Sequence, residues 1–140
     1  MRVTSTTTIA STAQAIWDVL TDYPDYPTWN PFIVSASTRG RSLTLAIDTD
    51  PDARMLSCDA RIVRSEAAAL LKIRLEIAPG FINGRYAAHL AEDERAVRLT
   101  QDLRFGGLVS RLYIRPWLLA DLRRGLDAMG AALKRQVEAR

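Results

Sequence analysis

The chain has 140 residues, of which 48% are hydrophobic and 25% charged. This is the composition of an ordinary globular domain and excludes disordered, fibrous and membrane-spanning classes. The formal net charge is +3, but the arginines are scattered among acidic residues along the sequence, a pattern that does not indicate nucleic-acid binding. One cysteine and one histidine exclude an intrachain disulfide and a zinc site. We therefore predict a single domain over residues 1–140, with no metal and no cofactor.

The start of the chain shows no targeting signal. The segment MRVTSTTTIA has neither the apolar core nor the small-residue cleavage site of a signal peptide. The longest apolar runs extend for only a few residues, so no integral membrane association is expected. A cytoplasmic location is the default expectation.

The N-terminal part predicts one strand followed by short helices. Residues 2–10 are rich in threonine, with Val3, Thr7 and Ile9 at even spacing, which favours a strand. Ser11 or Thr12 can then cap a helix. The apolar stripe of that helix consists of Ile16, Trp17, Val19 and Leu20. The prolines of the DYPDYP segment end it, and residues 23–29 are predicted to form a second short helix or a turn.

Residues 33–106 predict a meander of strands, because short alternating segments are separated by turn signals and none has a helical period. Turns are expected at Pro79–Gly80, at Asn83–Gly84 and in the EDERA segment, and Gly106–Gly107 is expected to close the sheet. The predicted inward positions are Leu43, Leu45, Ile47, Leu56, Cys58, Ala60, Ile62, Leu71, Ile73, Leu75, Ile77, Tyr86, Ala88, Leu90, Val97, Leu99, Leu103 and Phe105.

A long amphipathic helix is predicted from about residue 108 to the C-terminus. Its apolar stripe consists of Leu119, Leu122, Leu126, Met129, Leu133 and Val137. Pro116 is compatible with the first turn of this helix or with a kink after a leading segment, and both alternatives stay open. Since only this helix is long enough to cover the dry face of the sheet, the pattern predicts an α+β fold with six or seven curved antiparallel strands.

Four segments of the sequence resemble the START-like (SRPBCC) superfamily: AIWDVLTD at 15–22, YPTWNPFI at 26–33, LTQD leading to FGG at 99–107, and MGAALKRQVE at 129–138. Within it the resemblance is nearest to the polyketide cyclase/dehydrase-like group, since Trp29-Asn30-Pro31-Phe32 differs from the motif of ubiquinone-binding relatives. The resemblance implies the helix-grip fold, in which the sheet wraps around the C-terminal helix and a ligand cavity lies between them. The superfamily includes enzymes, carriers, receptors and co-chaperone modules, so the fold alone does not decide the function.

The resemblance places ligand-binding side chains on the inward face of the strands and on the inner stripe of the helix. The predicted cavity lining is Trp29, Phe32, Leu45, Cys58, Leu75, Phe81, Tyr86, Gln101, Leu103, Phe105, Leu122 and Leu126. Gln101 is either satisfied by a neighbouring group or water or contacts the ligand, and Tyr86 has the same two alternatives. Phe81 is expected to act as a lid over the cavity mouth or as a simple turn plug.

Other chemistry-bearing residues are interpreted as structural. His89 alternates with inward residues and is expected on the solvent face, which argues against catalysis by it. Cys58 is interpreted as a small hydrophobic residue of the core. Asp18, Asp22 and Asp25 are expected to be solvent-facing or capping groups. Near the start of the last helix lie Arg111, Tyr113, Arg115 and Trp117, where one arginine either meets an anionic ligand group or stays solvated.

Three classes of function remain after this reading. The first choice is binding of a small hydrophobic molecule, lipid or polyketide-like, in the predicted cavity. The second is a cyclase, aromatase or dehydratase-like enzyme, for which the catalytic residues are unknown and against which the lack of an inward acid or base counts. The third is a protein-interaction module, which predicts a large exposed apolar patch. The oligomeric state is not predicted.

Overall fold

Seven antiparallel strands form one sheet in the computed structural model, which describes residues 2–48, 55–78, 82–106 and 116–139. The strands are β1 (Arg2–Ile9), β2 (Ile33–Arg39), β3 (Ser42–Asp48), β4 (Met55–Glu66), β5 (Leu70–Ala78), β6 (Ile82–Glu92) and β7 (Val97–Gly106). The described helices are α1 (Ala13–Leu20), α2 (Tyr26–Trp29), which follows a 3-10 turn at Tyr23–Asp25, and α3 (Pro116–Glu138). The predicted α+β architecture, with a seven-stranded sheet and short helices after β1, is confirmed.

The sheet has the strand order β1-β7-β6-β5-β4-β3-β2. Consecutive strands from β2 to β7 pair as neighbours, whereas β1 pairs with β7, placing Val3 opposite Leu103 and Ile9 opposite Val97. The turn between β2 and β3 contains Gly40 at φ +62°, a conformation that side chains with a Cβ rarely adopt. Strands β1 and β2 are therefore the two edges of the sheet.

The short helices follow the predicted local signals. Thr12 caps α1, since its hydroxyl accepts a hydrogen bond of 3.1 Å from the Ala15 amide. Asn30 follows α2, and its side-chain oxygen accepts hydrogen bonds from the amides of Phe32 at 3.0 Å and Ile33 at 2.9 Å. This local bonding turns the chain from α2 into β2 and positions Phe32 and Ile33, both of which are buried.

The predicted turn at Asn83–Gly84 is wrong, because both residues lie within β6. Asn83 is opposite Gly106 and Gly84 is opposite Phe105. A Cβ added at Gly84 would lie 3.3 Å from the Leu75 side chain, so the glycine serves close packing between strands. The EDERA turn is present, and Asp93 accepts hydrogen bonds there from two backbone amides at 3.0 Å. Pro79, Gly80, Phe81 and Gly107 lie outside the described residues.

Helix α3 lies mainly over β1 and buries the predicted apolar stripe. Leu122, Leu126, Met129, Leu133 and Val137 are all buried, and Leu119 packs against the same core. Polar contacts tie the helix to the strand, since the Ser5 hydroxyl donates to Asp127 and Lys134 donates to the Thr8 carbonyl at 2.8 Å. None of the helices in the described ranges is long and apolar enough to cross a membrane.

The sequence left two alternatives for Pro116 at the junction before α3, a helix start or a kink. The described helix starts at Pro116, and residues 107–115 lie outside the described part, as do the expected positions of Arg111, Tyr113 and Arg115. The side chain of Trp117 is likewise outside it. The choice between a helix start and a kink at Pro116 therefore stays a prediction.

Candidate functional site

A small cavity lies between the inner face of the sheet and α3. The described residues that line it present only apolar surface, and its volume is about 30 Å³. The lining residues are Phe32, Ile33, Leu45, Ile47, Ile73, Leu75, Tyr86, Leu103, Phe105 and Leu122. A single water occupies roughly 10–15 Å³ on this measure, whereas ligand pockets span roughly 300–1,000 Å³. The cavity is thus an opening between packed side chains that has to widen before it holds a molecule of ligand size.

The fold brings together most of the side chains that the sequence predicted for the cavity. Those that line it are Phe32, Leu45, Leu75, Tyr86, Leu103, Phe105 and Leu122. Four others do not: Cys58, Gln101 and Leu126 are buried in the core and Trp29 is half-buried beside it. Phe81 lies outside the described residues. Their role in ligand binding stays a prediction.

Three isoleucines line the cavity without having been in the predicted set. Ile47 and Ile73 are at inward positions of the predicted strands, so the alternation of the sequence already indicated that they face the cavity. Ile33 enters the wall because Asn30 holds its amide at the start of β2. That contact depends on the local hydrogen bonding after α2, which alternation alone does not reveal.

The polar pair on the inner face is satisfied within the protein. The Tyr86 hydroxyl donates a 2.7 Å hydrogen bond to the Gln101 side-chain oxygen, and the Gln101 amide donates a 3.1 Å hydrogen bond to the Leu126 carbonyl on α3. Gln101 is fully buried. Burial, with a smaller contribution from the nearby Tyr23, raises the pKa of Tyr86 far above its ordinary value, so the phenol stays protonated. The pair therefore links β6, β7 and the helix backbone.

Two buried donors at the junction between α2 and β2 lack a partner among the described residues. They are the indole N–H of Trp29 and the side-chain amide nitrogen of Asn30, whose oxygen is already used by Phe32 and Ile33. An unpaired buried donor costs about 1–3 kcal/mol. Both donors belong to the segment that leads into Phe32, and neither residue lines the cavity.

The lone cysteine and histidine supply no reactive group to the cavity. Cys58 is buried, and burial together with the neighbouring Asp59 raises the pKa of its thiol to about 11. The thiol is therefore protonated near neutral pH and is unreactive. His89 is exposed on the outer face of the sheet, opposite Thr100. Among residues 2–48, 55–78, 82–106 and 116–139, no group of three or more His, Cys, Asp or Glu is arranged to hold a metal ion.

Comparison with known families bears directly on this architecture. A sequence model of the family described as "Polyketide cyclase / dehydrase and lipid transport" matches residues 1–134. The chain belongs to this family. The resemblance read from the Trp-Asn-Pro segment and the C-terminal helix is thereby confirmed. Among curated proteins no match is found.

Solved structures share the fold of this polyketide cyclase/dehydrase and lipid transport family member. A START superfamily protein from Mycobacterium smegmatis is 18% identical with a TM-score of 0.80, covering 99% of this chain and 97% of its own. The Zhui aromatase/cyclase from Streptomyces sp. R1128 is also 18% identical, with a TM-score of 0.75 and coverages of 100% and 94%. The di-domain aromatase/cyclase StfQ of the steffimycin pathway is 13% identical at a TM-score of 0.72, and the match covers 99% of this chain and 49% of StfQ. At these identities the likeness establishes the helix-grip fold.

Proposed function

We propose that this family member binds a small hydrophobic molecule between the inner face of the sheet and α3. The observation that carries the proposal is the cavity there, whose described lining residues present no polar surface to it. Apolar surface of this kind favours an apolar occupant, because transfer from water contributes roughly 25 cal/mol for each Å² buried. Membership of a family whose description includes lipid transport supports the same reading.

Binding requires the cavity to widen, and the contact between Phe32 and α3 is where this can happen. A Cβ added at Gly125 would lie only 2.2 Å from the Phe32 ring, so the ring rests against bare helix backbone. A change of rotamer at Phe32 frees the volume of one aromatic ring without moving a strand. We therefore place the entry of the ligand at the end of the cavity formed by Phe32, Ile33 and Leu122.

The ligand is proposed to be uncharged, with a largely apolar body. No ionised side chain lines the cavity among the described residues, and a buried charge without a partner costs several kcal/mol. A lipid-like or aromatic polyketide-like molecule fits this requirement.

Binding is favoured over cyclase or dehydratase chemistry by the nature of the lining. Proton transfer at neutral pH needs a group whose pKa lies near the working pH. Tyr86 is the only titratable side chain in the described lining, and its raised pKa keeps it protonated and bound to Gln101. The described wall therefore offers shape and apolar contact without an acid or base poised for turnover.

The experiment combines native mass spectrometry of the freshly purified protein with titration of N-phenyl-1-naphthylamine, a neutral fluorescent probe for apolar sites. Leu122→Ala enlarges the cavity, whereas Leu126→Ala removes the same atoms one turn later from a leucine outside the lining. Both variants are expected to lower the free energy of unfolding by about 2–5 kcal/mol. Only Leu122→Ala is expected to tighten probe binding, by about tenfold, and Ile47→Phe is expected to weaken it.

Equal probe affinity in all three variants and the wild type would show that the probe binds elsewhere. No bound mass, together with no probe signal even in Leu122→Ala, would contradict the proposal outright. In that case the interaction-module alternative would become the better account of the fold.

A further inference from the structure

The outer face of the sheet carries a row of arginines that the linear sequence conceals. Arg61 on β4 is opposite Arg74 on β5, which is opposite Arg85 on β6. Arg85 is opposite Arg104 on β7, which is opposite Arg2 on β1. All five are exposed, and neighbouring strands lie about 4.8 Å apart. These residues, called the arginine row below, run across five adjacent strands.

Such a row opposes the stability of the sheet. Like charges directly opposite each other on neighbouring strands are destabilising. Asp102 compensates one end, bonding Arg2 at 2.8 Å and Arg104 at 3.1 Å. Arg74 and Arg85 form no ion pair with any described residue. Proteins tolerate an uncompensated local repulsion mainly at functional sites. The repulsion between these arginines therefore indicates a site for a negatively charged partner.

A groove lies beside the row and gives it the shape of a binding site. It encloses about 540 Å³ on the outer face, within the range of small-molecule pockets. Ala87 forms its floor, because this small residue sits between Lys72 on β5 and Asp102 on β7. Arg74, Arg85 and Arg104 line one side.

The charge of the groove points to an anion. Its described lining contains the four cations Lys72, Arg74, Arg85 and Arg104, with Asp102 as the only acidic residue among these described positions. The acids Asp59 and Glu76 face each other one pair further along β4 and β5, and neither lines the groove. Guanidinium groups match the oxygens of phosphate with two parallel hydrogen bonds, and several of them side by side match more than one phosphate.

We propose that this groove is a second binding site, for a soluble organic or inorganic ligand that carries two or more phosphate groups. Arg74 and Arg85, which lack ion-pair partners in the described part of the chain, contact the phosphates, with Lys72 adding charge. The concave floor over Ala87 favours a small ligand over an extended polymer. The site lies on the opposite face of the sheet from the inner cavity, so it does not depend on the function proposed there.

The test is isothermal titration calorimetry with inorganic tripolyphosphate at low ionic strength, where screening is weak. Wild-type protein is expected to bind tripolyphosphate and to bind sulfate far more weakly at equal ionic strength. Arg85→Ala is expected to weaken tripolyphosphate binding at least about tenfold. Arg95→Ala, at an exposed arginine in the turn between β6 and β7, removes the same charge away from the groove and is expected to leave the affinity unchanged within about twofold.

A second variant keeps every arginine. Ala87→Glu places a carboxylate on the groove floor between Lys72 and Asp102, next to Arg85, and is expected to abolish binding while the protein stays folded. In the absence of ligand, Arg85→Ala is expected to melt at the same or a higher temperature than the wild type, since it relieves repulsion. Equal losses in Arg85→Ala and Arg95→Ala would overturn the proposal. So would binding seen only with phosphoinositide vesicles, or only with nucleic acid, and not with tripolyphosphate.

Discussion

Gln101 is a fully buried amide on the apolar face of the sheet, and its surroundings explain why it is tolerated there. Its oxygen accepts from Tyr86 and its nitrogen donates to the Leu126 carbonyl. The sequence predicted its inward position from alternation but left its partner open. The structure supplies both partners from the protein, because a carbonyl of α3 lies within reach of β7.

Tyr86→Phe tests this arrangement. It removes the only donor that reaches the Gln101 oxygen among the described contacts, so we expect the free energy of unfolding to fall by about 1–3 kcal/mol. The ring that forms the cavity wall is kept, and N-phenyl-1-naphthylamine should therefore bind with unchanged affinity. Urea denaturation and fluorescence titration measure the two effects. Tyr23→Phe, at a half-buried tyrosine outside the lining, is the control, and a loss of probe affinity in Tyr86→Phe alone would show that the hydroxyl contacts the ligand.

The helix and the first strand approach so closely that side chains are excluded between them. Gly130 in α3 faces Thr7 in β1, and a Cβ there would lie 2.3 Å from the threonine hydroxyl oxygen. Glycine inside a helix is about 1 kcal/mol less favourable than alanine, so its presence here reflects this contact. Together with the Ser5–Asp127 hydrogen bond, it sets the position of α3 over the edge of the sheet.

Gly130→Ala is expected to lower the free energy of unfolding by about 1–3 kcal/mol despite the gain in helix propensity, because the new methyl group overlaps Thr7. Thr7→Ala removes the hydroxyl and should recover part of this loss. Chemical denaturation of both single variants and the double variant gives the coupling energy between the two sites. Additive effects within about 0.5 kcal/mol would contradict a direct contact.

Within single strands the sequence predicts which side chains face inward, but it does not predict which side chains of neighbouring strands they meet. Alternation within a strand is a local property, so the inward parity of residues such as Leu45 and Leu75 could be predicted. The sequence predicts a turn at Asn83–Gly84 because this dipeptide commonly forms one, while the residues that surround Gly84, Leu75 and Phe105, come from neighbouring strands. The register between two strands depends on contacts from both of them, so it cannot be predicted from the pattern of either strand alone.

The whole sheet shows the larger consequence of register. The arginines looked scattered because Arg61, Arg74, Arg85 and Arg104 are separated by many residues in sequence, yet the hairpins between β4 and β7 bring them into one row. The volume of the cavity could not be predicted from the sequence either, since it depends on how ten side chains from several elements pack together. The fold and much of the apolar wall could therefore be predicted, whereas the size of the cavity and the outer groove could not.

The response of the whole molecule to acid depends on Asp102. Burial alone would raise the pKa of this carboxyl, but the hydrogen bonds and charges of Arg2 and Arg104 lower it below its ordinary value. A pKa that is lower in the folded state than in the unfolded state stabilises the fold above about pH 4, and this contribution disappears as the pH falls through the folded-state pKa.

We expect wild-type protein to lose stability more steeply than Asp102→Asn as the pH falls from about 5 to about 2. The asparagine variant is less stable at pH 7 because the ion pairs are gone, and the two curves converge in acid. Urea midpoints at several pH values measure this, with Asp18→Asn on the exposed face of α1 as the control. Parallel curves for wild type and Asp102→Asn would contradict the assignment.

The pairing of β1 with β7 also has a consequence for how the polypeptide matures. Among the described strands, β1 pairs with β7 alone, which follows five other strands in the chain, and its covering helix α3 comes later still. Until β7 has been synthesised, the Thr-rich strand β1 has no complementary edge among the described strands, and closing such a long loop is slow. The hairpins from β2 to β7 can assemble as they emerge, so the N-terminal strand is expected to dock last and to lock a sheet that is already formed.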